Sequence, residues 1–378
     1  MKYIADTLCQ NKKTGYAVCG DHCLCKRTPA GTLYVLCDGV GSGVYANIAA
    51  ISCAERLQTL WRSGFSLRAA VETVAASMHR ARTEDIPFSA FSAAHILADG
   101  GFTAYTYEGP KPILLQGGQA SLPAPRYYTA TYEVIGETTG RLDYGDALLL
   151  CSDGVTQAGM GHGYGMGIGE SAVVKLVNQN SALPPEALTQ LLAEHCKTVS
   201  AGRFEDDTTV ALLQCKTARE LSLFTGPPSK PAMDQEYVEL YKNAVGGRVI
   251  CGSTTTDIFA RELGLEVMHF PPRGGMGNLP EYFMEGADLV TEGAITLSQV
   301  CNLLDEPPEQ LDGNSSVKQL CVLLHRADVV HLHIGKAVND AHESTLFKQI
   351  GVRVRRSVVE TIAEKLRAKG KLVTERYY

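Results

Sequence analysis

The chain has 378 residues, enough for about two domains at roughly 150 residues each, and its 45% hydrophobic and 20% charged residues predict a packed core. The formal net charge is -6 and no Lys/Arg run is longer than a pair, which argues against a nucleic-acid partner. No apolar stretch approaches the ~20 residues of a membrane span, so no membrane partner is expected either.

The 12 cysteines raise the question of the redox compartment. Residues 1–6 lack the long apolar core of a signal peptide. We therefore expect a cytoplasmic protein whose cysteines are reduced thiols and not disulfides.

Strand-like segments dominate residues 1–216. Helices are predicted at 44–61, 67–80 and 186–199, with Ser66 as the N-cap of the second. Many strands with a few helices favour an α+β sandwich. The predicted strands are 33–37, 92–97, 102–107, 113–116, 127–134, 147–151 and 209–214.

Residues 217–233 are predicted to be a linker, because the run from Gly226 to Pro231 favours extended, non-helical backbone. After it, strands and helices alternate from 234 to 378. This alternation predicts a smaller α/β domain with a mostly parallel sheet.

Four aspartates of the first domain stand out: Asp21, Asp38, Asp153 and Asp206. Each lies near an apolar run of strand type, and Asp38 and Asp153 are each followed directly by glycine. A single Asp-Gly pair usually marks a β-turn. Several such signals in one domain instead predict carboxylates at strand ends, which suit hard divalent cations. Two such ions close together can activate water and clamp a phosphoryl group, so we predict a two-metal phosphatase.

The segments 19–21, 36–43, 145–155 and 205–209 resemble the bacterial branch of the metal-dependent Ser/Thr phosphatases, the PPM family, of the sporulation stage II E (SpoIIE) type. The resemblance covers about residues 5–215. It implies a PPM-type β-sandwich flanked by helices, with the metals at one end of the sandwich. The implied activity is hydrolysis of phosphoserine and phosphothreonine in a bacterial signalling protein.

The resemblance also implies roles for individual residues. Asp38 would bridge two Mn²⁺ or Mg²⁺ ions, with the Gly39 carbonyl on one of them. Asp153 and Asp206 would hold the ions from the other sheet, which makes Asp38, Asp153 and Asp206 the catalytic set. Asp21 would help to bind the second ion, directly or through water.

Other positions are less directly implied. Asp207 is expected near the metals as a residue that orients ligands. Many eukaryotic relatives hold the substrate phosphate with an arginine near the start. This sequence has no clear equivalent, with Lys12 and Lys13 as the only candidate stand-ins, and the bacterial branch commonly lacks the arginine. The alternative to an active enzyme is a pseudophosphatase that binds a phosphoprotein or a ligand. The glycine-rich segment 154–169, which includes His162, is either a flap beside the site or a surface loop.

The second domain offers polar turns at predicted strand ends. Hydroxyls and free N–H groups at a helix start can bind an anion, although a plain N-cap is the alternative. Ligands of open α/β sheets bind outside the carboxyl ends of the strands, so we predict a small-ligand site there. Its candidate residues are Ser253, Thr254, Thr255, Glu292, Lys336 and Asn339.

Two further interpretations concern the second domain. His331 and His333 alternate on one strand, and we expect them to be sheet residues packed under a helix and not metal ligands. The domain is expected to tune the phosphatase. The two-domain pattern resembles phosphatases encoded beside bacterial iron hydrogenases, which implies a partner in hydrogenase or redox signalling.

Overall fold

The structure is a computed structural model that describes residues 1–84, 86–270, 281–311, 315–337 and 355–378. The chain divides into two compact units, Met1–Thr217 and Ala218–Tyr378. Among the described residues, no helix has the length and apolar character that crossing a membrane requires.

The first unit contains two antiparallel sheets with helices outside them. One sheet has the strand order β1-β11-β10-β6-β7 and the other β2-β3-β4-β5-β9-β8. The strands are β1 Lys2–Asn11, β2 Asp21–Thr28, β3 Gly31–Gly39, β4 Ser89–Leu97, β5 Gly101–Tyr107, β6 Ile113–Gln116, β7 Gln119–Ser121, β8 Arg126–Ala130, β9 Glu133–Arg141, β10 Ala147–Cys151 and β11 Thr208–Thr217. The helices are α1 Val44–Arg62, α2 Leu67–Thr83, α3 Asp153–Thr156, α4 Gly169–Gln179 and α5 Pro185–Val199.

Alternation along β3 explains the layers. Tyr34 and Leu36 pack in the core between the two sheets, together with Leu148 and Leu213 of the other sheet. Residues 33, 35 and 37 point the other way and pack with residues of α1 and α2. Because side chains alternate along a strand, a strand that is apolar throughout can be buried on both faces. The α+β sandwich flanked by helices is therefore confirmed.

Of two local predictions for the first unit, one is confirmed and one is wrong. The predicted N-cap Ser66 is confirmed, since its side chain accepts a hydrogen bond from the backbone N of Ala69. The predicted strand 127–134 is instead a hairpin of β8 and β9, whose turn contains Thr131 at φ 59°. A positive φ at a β-branched residue is unusual, and the sequence carries no Gly or Asn there to indicate it.

The second unit is built on a seven-stranded sheet with the order β14-β15-β16-β13-β12-β17-β18. Neighbouring strands in the series β16-β13-β12-β17-β18 pair in parallel. β15 pairs antiparallel with both β14 and β16. The predicted, mostly parallel sheet is confirmed. The strands are β12 Glu220–Thr225, β13 Gly247–Cys251, β14 Val267–Phe270, β15 Glu281–Met284, β16 Leu289–Thr291, β17 Val329–Ile334 and β18 Leu372–Tyr377; the helices are α6 Asp234–Lys242, α7 Ser253–Leu263, α8 Ala294–Leu303, α9 Ser316–Arg326 and α10 Arg355–Ala368.

The segment predicted as a linker, 217–233, requires correction. It contains β12, which pairs with β13 on one side and β17 on the other and so lies in the interior of the sheet. The boundary between the two compact units falls directly after Thr217. The proline-rich stretch after Thr225 suggested a linker. The six residues that end at Thr225, however, are apolar enough to form a short buried strand.

Candidate metal centre

Asp21 and Asp38 lie opposite each other on the neighbouring antiparallel strands β2 and β3. β3 is buried over almost its whole length, and Asp38 comes near its end. Asp21 is only 2% exposed. Two carboxylates therefore share one largely buried end of this sheet.

The other sheet brings Asp153 to the same place. β10 ends at Cys151, and the short helix α3 begins at Asp153. The backbone N–H of Asp153 donates to Oδ2 of Asp38, with 3.4 Å between N and O. One helical turn later, the side-chain amide of Gln157 donates to Oδ2 of Asp153 at 2.9 Å. Asp153 is thus oriented by the residue that directly follows α3, and it lies in contact with Asp38.

Thr209, at the start of β11, connects Asp21 to the second sheet. Its hydroxyl donates to Oδ2 of Asp21 at 2.6 Å, and the side chain of Gln10 donates to both the Thr209 hydroxyl and the Asp21 carbonyl at 3.2 Å. The Thr209 backbone N–H donates to the Ser152 hydroxyl at 2.9 Å. These bonds hold the ends of the two sheets together around the carboxylates.

Asp206 and Asp207 are adjacent in sequence but differ in setting. The Asp206 side chain is 40% exposed, and its Oδ1 lies 3.9 Å from the Lys13 ammonium. Asp207 is 4% exposed, and its Oδ1 accepts a hydrogen bond from the Lys13 backbone N at 2.9 Å. Asp206 is therefore open to a ligand, whereas Asp207 fixes the chain at Lys13.

Two glycines allow close backbone approach at the site. A Cβ on Gly39 would lie 1.9 Å from the Ala46 carbonyl oxygen, and one on Gly154 would lie 2.2 Å from the Asp207 carbonyl oxygen. Neither position has room for a side chain. The glycines after Asp38 and Asp153 are thus required by packing.

Burial and mutual repulsion disfavour the ionised carboxylates. Burial raises the pKa of Asp21 to about 7, even though the hydrogen bond from Thr209 opposes the shift. Burial, followed by the charges of Asp21 and Asp153, raises the pKa of Asp38 well above its usual range. Burial also raises the pKa of Asp206. A cluster of this kind is stabilised by a positive charge placed among its oxygens.

The donor set fits a divalent cation. Asp21 Oδ1 is buried and has no hydrogen-bond partner among the described residues. Such an orphan oxygen is costly unless a cation or donor satisfies it. All candidate donors are carboxylate or carbonyl oxygens, the ligands that Mg²⁺ and Mn²⁺ prefer. Over the described residues, no three His, Cys, Asp or Glu side chains already form a compact ligand set.

The glycine-rich segment forms a compact loop next to this region. The backbone N–H of Ile168 donates to the Ala158 carbonyl at 3.0 Å, which closes the base of the loop. At its tip, His162 Nε2 lies 3.7 Å from the Glu205 carboxylate, which directly precedes Asp206. The loop therefore borders the chain that carries Asp206.

The structure also places the residues predicted for the second-unit site. Ser253, Thr254 and Thr255 form the first turn of α7. Glu292 follows β16 and accepts a hydrogen bond from the Tyr282 hydroxyl at 2.5 Å. Lys336 follows β17 and is exposed, and Asn339 lies outside the described residues.

Four supporting residues at the first site had no predicted role: Gln10, Ser152, Gln157 and Thr209. Ser152 and Thr209 belong to the aspartate motifs themselves. Gln157 follows Asp153 by four residues, one turn of a helix, so a helix prediction at Asp153 would have indicated it. Gln10 acts across strands, and no local pattern indicates it.

The family model of stage II sporulation protein E (SpoIIE) matches residues 28–216. The chain belongs to the SpoIIE family. No curated protein matches the chain.

Several solved structures are similar to part of this chain. The PP2C phosphatase domain with a fragment of the regulatory domain of SpoIIE from Bacillus subtilis is 20% identical, with a TM-score of 0.49 over 57% of this chain and 64% of that one, so the match spans less than two thirds of its length. The RsbU and RsbW domains of Rv1364c from Mycobacterium tuberculosis are 17% identical, with a TM-score of 0.48 over 63% and 67% of the two chains. The serine/threonine phosphatase of S. agalactiae is 16% identical, with a TM-score of 0.43 over 56% and 99%. At these sequence identities and TM-scores, the solved structures add nothing to the family assignment. That assignment rests on the match of the family model to residues 28–216.

Proposed function

We propose that the first unit hydrolyses phosphoserine and phosphothreonine in a protein partner of a bacterial signalling system, in a reaction that depends on Mn²⁺ or Mg²⁺. The observation that carries this proposal is the meeting of Asp21, Asp38 and Asp153 at one end of the sandwich, in a chain of the SpoIIE family.

Two ions would be held by Asp21, Asp38, Asp153, Asp206 and the Gly39 carbonyl, and when bound they would supply water activation and charge compensation on the phosphoryl group. The protein's own contribution is positional. Thr209 holds the Asp21 carboxylate, and Gln157 holds that of Asp153. The Lys13 ammonium lies beside Asp206, where it can offer a charge-assisted hydrogen bond to a phosphate oxygen.

The proposed reaction uses water and forms no phosphoenzyme, so no side chain is assigned as a nucleophile. The second unit is proposed to bind a ligand or partner and so to tune the first. These assignments extend the family membership to substrate, metal and regulation.

The test is hydrolysis of p-nitrophenyl phosphate and of Ser- and Thr-phosphorylated peptides by the full-length protein, with Mn²⁺ and with EDTA. Asp38→Asn and Asp153→Asn should each lower turnover by roughly 100-fold or more, since each removes a negatively charged ligand. Glu72→Gln is the control. It removes an exposed carboxylate on α2 that pairs only with Arg68 among the ion pairs described here.

Either of two results would overturn the proposal. Equal activity with Mn²⁺ and with EDTA would rule out the two-metal site. Stabilisation by Mn²⁺ that is lost in Asp38→Asn, without turnover of any phosphoester, would instead identify a metal-binding pseudophosphatase.

A further inference from the structure

Two helices of the second unit begin side by side at the carboxyl edge of the parallel sheet. β13 and β16 are neighbours that end opposite each other, with Cys251 paired to Thr291. Gly252 then leads into α7, and Gly293 leads into α8. Neither helix has a side-chain cap. The first-turn N–H groups of both helices therefore lack the usual capping partner and carry the positive end of the helix dipole.

The two glycines bring these helix starts into contact. A Cβ on Gly252 would lie 3.8 Å from Cα of Gly293, and Gly252 has a φ of +123°, which side chains rarely adopt. The backbone N–H of Gly252 donates to the Thr291 carbonyl at 2.8 Å and fixes the two turns relative to each other. The result is a bare backbone surface flanked by two helix N-termini.

Buried hydroxyls at this edge provide the independent observation. The Oγ1 atoms of Thr225, Thr255 and Thr296 are buried and have no hydrogen-bond partner within the described parts of the chain. Their residues are at most 1% exposed. Thr225 ends β12, and the other two lie in the first turns of α7 and α8. Two other buried hydroxyls at this edge do have hydrogen-bond partners.

Thr256 and Thr291 are just as buried, but their hydroxyls donate to the carbonyls of Gly252 at 2.9 Å and Glu292 at 2.8 Å. The orphan hydroxyl of Thr255 points to the junction of the helices, since it lies 3.5 Å from where a Cβ on Gly252 would be. A buried hydroxyl without a partner is unfavourable, and an acceptor arriving at this junction would relieve that cost.

The same edge carries both a guanidinium and carboxylates. The Arg355 guanidinium lies against Gly226, just after β12, and donates to the Gly335 and Ala337 carbonyls just after β17. The Glu292 carboxylate, held by the Tyr282 hydroxyl, and the Asp257 carboxylate of α7, which also acts on Tyr282, place negative charge nearby. This balance suits a ligand with one phosphate better than a polyphosphate.

We propose that the starts of α7 and α8, with the hydroxyls of Thr255 and Thr296, form a binding site for the phosphate group of a singly phosphorylated small molecule. All residues of this site belong to the second unit, and the inference rests on the ligand-binding role proposed above for that unit. Backbone N–H groups and hydroxyls would donate to the phosphate oxygens, as N–H groups do at helix N-termini that bind phosphate.

The experiment is calorimetric titration of the full-length protein in EDTA with inorganic phosphate and with ribose 5-phosphate. Thr255→Val should weaken binding about tenfold or more, because it removes one donor to a charged group without changing shape. It should keep or raise the unfolding temperature of the free protein, since the hydroxyl that it removes has no partner. Thr256→Val is the matched control, which should lower the unfolding temperature but bind like the wild type.

Thr296→Val repeats the test on the second helix, in case Thr255→Val does not fold. Tighter binding of ribose 5-phosphate than of phosphate would identify a phosphate ester as the ligand, and equal binding would identify free phosphate; both support the site. The proposal is overturned if the wild type binds neither probe at millimolar concentration, or if Thr255→Val and Thr296→Val bind as the wild type does.

Discussion

Thr209 donates a hydrogen bond to Asp21 across the two sheets of the first unit, with 2.6 Å between Oγ1 and Oδ2. The bond occupies one carboxylate oxygen and leaves Oδ1 without a partner among the described residues. Thr209 therefore both holds Asp21 and leaves one of its oxygens available to a cation.

Replacing Thr209 with valine tests this role. The loss of one hydrogen bond to a carboxylate costs about 1.5–3 kcal/mol, so the Mn²⁺ concentration for half-maximal p-nitrophenyl phosphate hydrolysis should rise about tenfold or more. Activity at saturating Mn²⁺ should change less, because all four aspartates remain.

Thr189→Val is the control for that measurement. Thr189 is equally buried, but its hydroxyl donates to the Glu186 carbonyl inside α5. If both variants had the wild-type Mn²⁺ requirement, the bond to Asp21 would have no part in metal binding.

The raised pKa of Asp21 predicts that the metal-free first unit loses stability as pH rises. Its pKa is about 7 in the fold against the usual 3.8, so the fold favours the protonated form. The stabilisation is fully present below about pH 4 and is lost as pH rises through 7, at about 1.4 kcal/mol per pH unit at most for one group.

The probe is the fluorescence of the single tryptophan, Trp61, which lies on α1 and so reports the first unit. In EDTA, the urea concentration at the unfolding midpoint should decrease as the pH is raised from 5 to 8. Asp21→Asn should reduce this slope without abolishing it, because the raised pKa values of Asp38 and Asp206 act in the same direction. Mn²⁺ should raise the wild-type midpoint at pH 8. A midpoint that rises with pH in EDTA would contradict the prediction.

The sequence predicted the sandwich well because its strongest signals are local. The buried strands around Leu36 and Leu149 are continuous apolar runs, and the glycines after Asp38 and Asp153 follow directly from the motif. At Gly39 the structure gives the reason for the glycine, because a Cβ there would collide with the Ala46 carbonyl.

Features that depend on long-range pairing were missed. β12 is a short apolar run whose strand character comes from partners on both sides, β13 and β17, which lie far along the chain. Gln10 reaches Asp21 and Thr209 only because β1 pairs with β11. Neither relationship leaves a periodic or spacing signal in the sequence.

His333 predicts the opposite pH dependence for the second unit. Its ring stacks on Phe224 at 4.3 Å between centroids, and its Nδ1 lies 2.9 Å from the Tyr378 hydroxyl. Burial, with His331 and Arg376 as minor contributors, lowers its pKa to about 4 from 6.5. Stability from this group is present above pH 6.5 and is lost as pH falls toward 4, by up to roughly 3 kcal/mol.

The measurement is urea unfolding followed by far-UV circular dichroism, with the first unit assigned by Trp61 fluorescence. The urea midpoint of the remaining transition should decrease from pH 7 to pH 5 in the wild type. It should decrease less in His333→Gln. His325→Gln, which alters a histidine on α9 that contacts the Leu304 carbonyl, should keep the wild-type slope. Equal slopes in His333→Gln and the wild type would exclude His333 as the cause.

Lys13 and Lys12 are adjacent, but the structure gives them different positions. The Lys13 ammonium lies 3.9 Å from Asp206, and its backbone is anchored by Asp207. The Lys12 ammonium instead donates to the Ala17 carbonyl at 3.3 Å. Of these two lysines, Lys13 is the one beside Asp206, so it is the one that we propose to meet a phosphate there.

Lys13→Ala should therefore raise KM for p-nitrophenyl phosphate by roughly tenfold with a smaller change in kcat, because it removes a charge-assisted contact to the bound phosphate. Lys13→Arg should recover most of the loss, since it keeps the positive charge. Lys12→Ala, one residue away, should match the wild type. Equal KM values in Lys13→Ala and Lys12→Ala would show that neither lysine contacts the phosphate, and would leave its recognition to the metal centre alone.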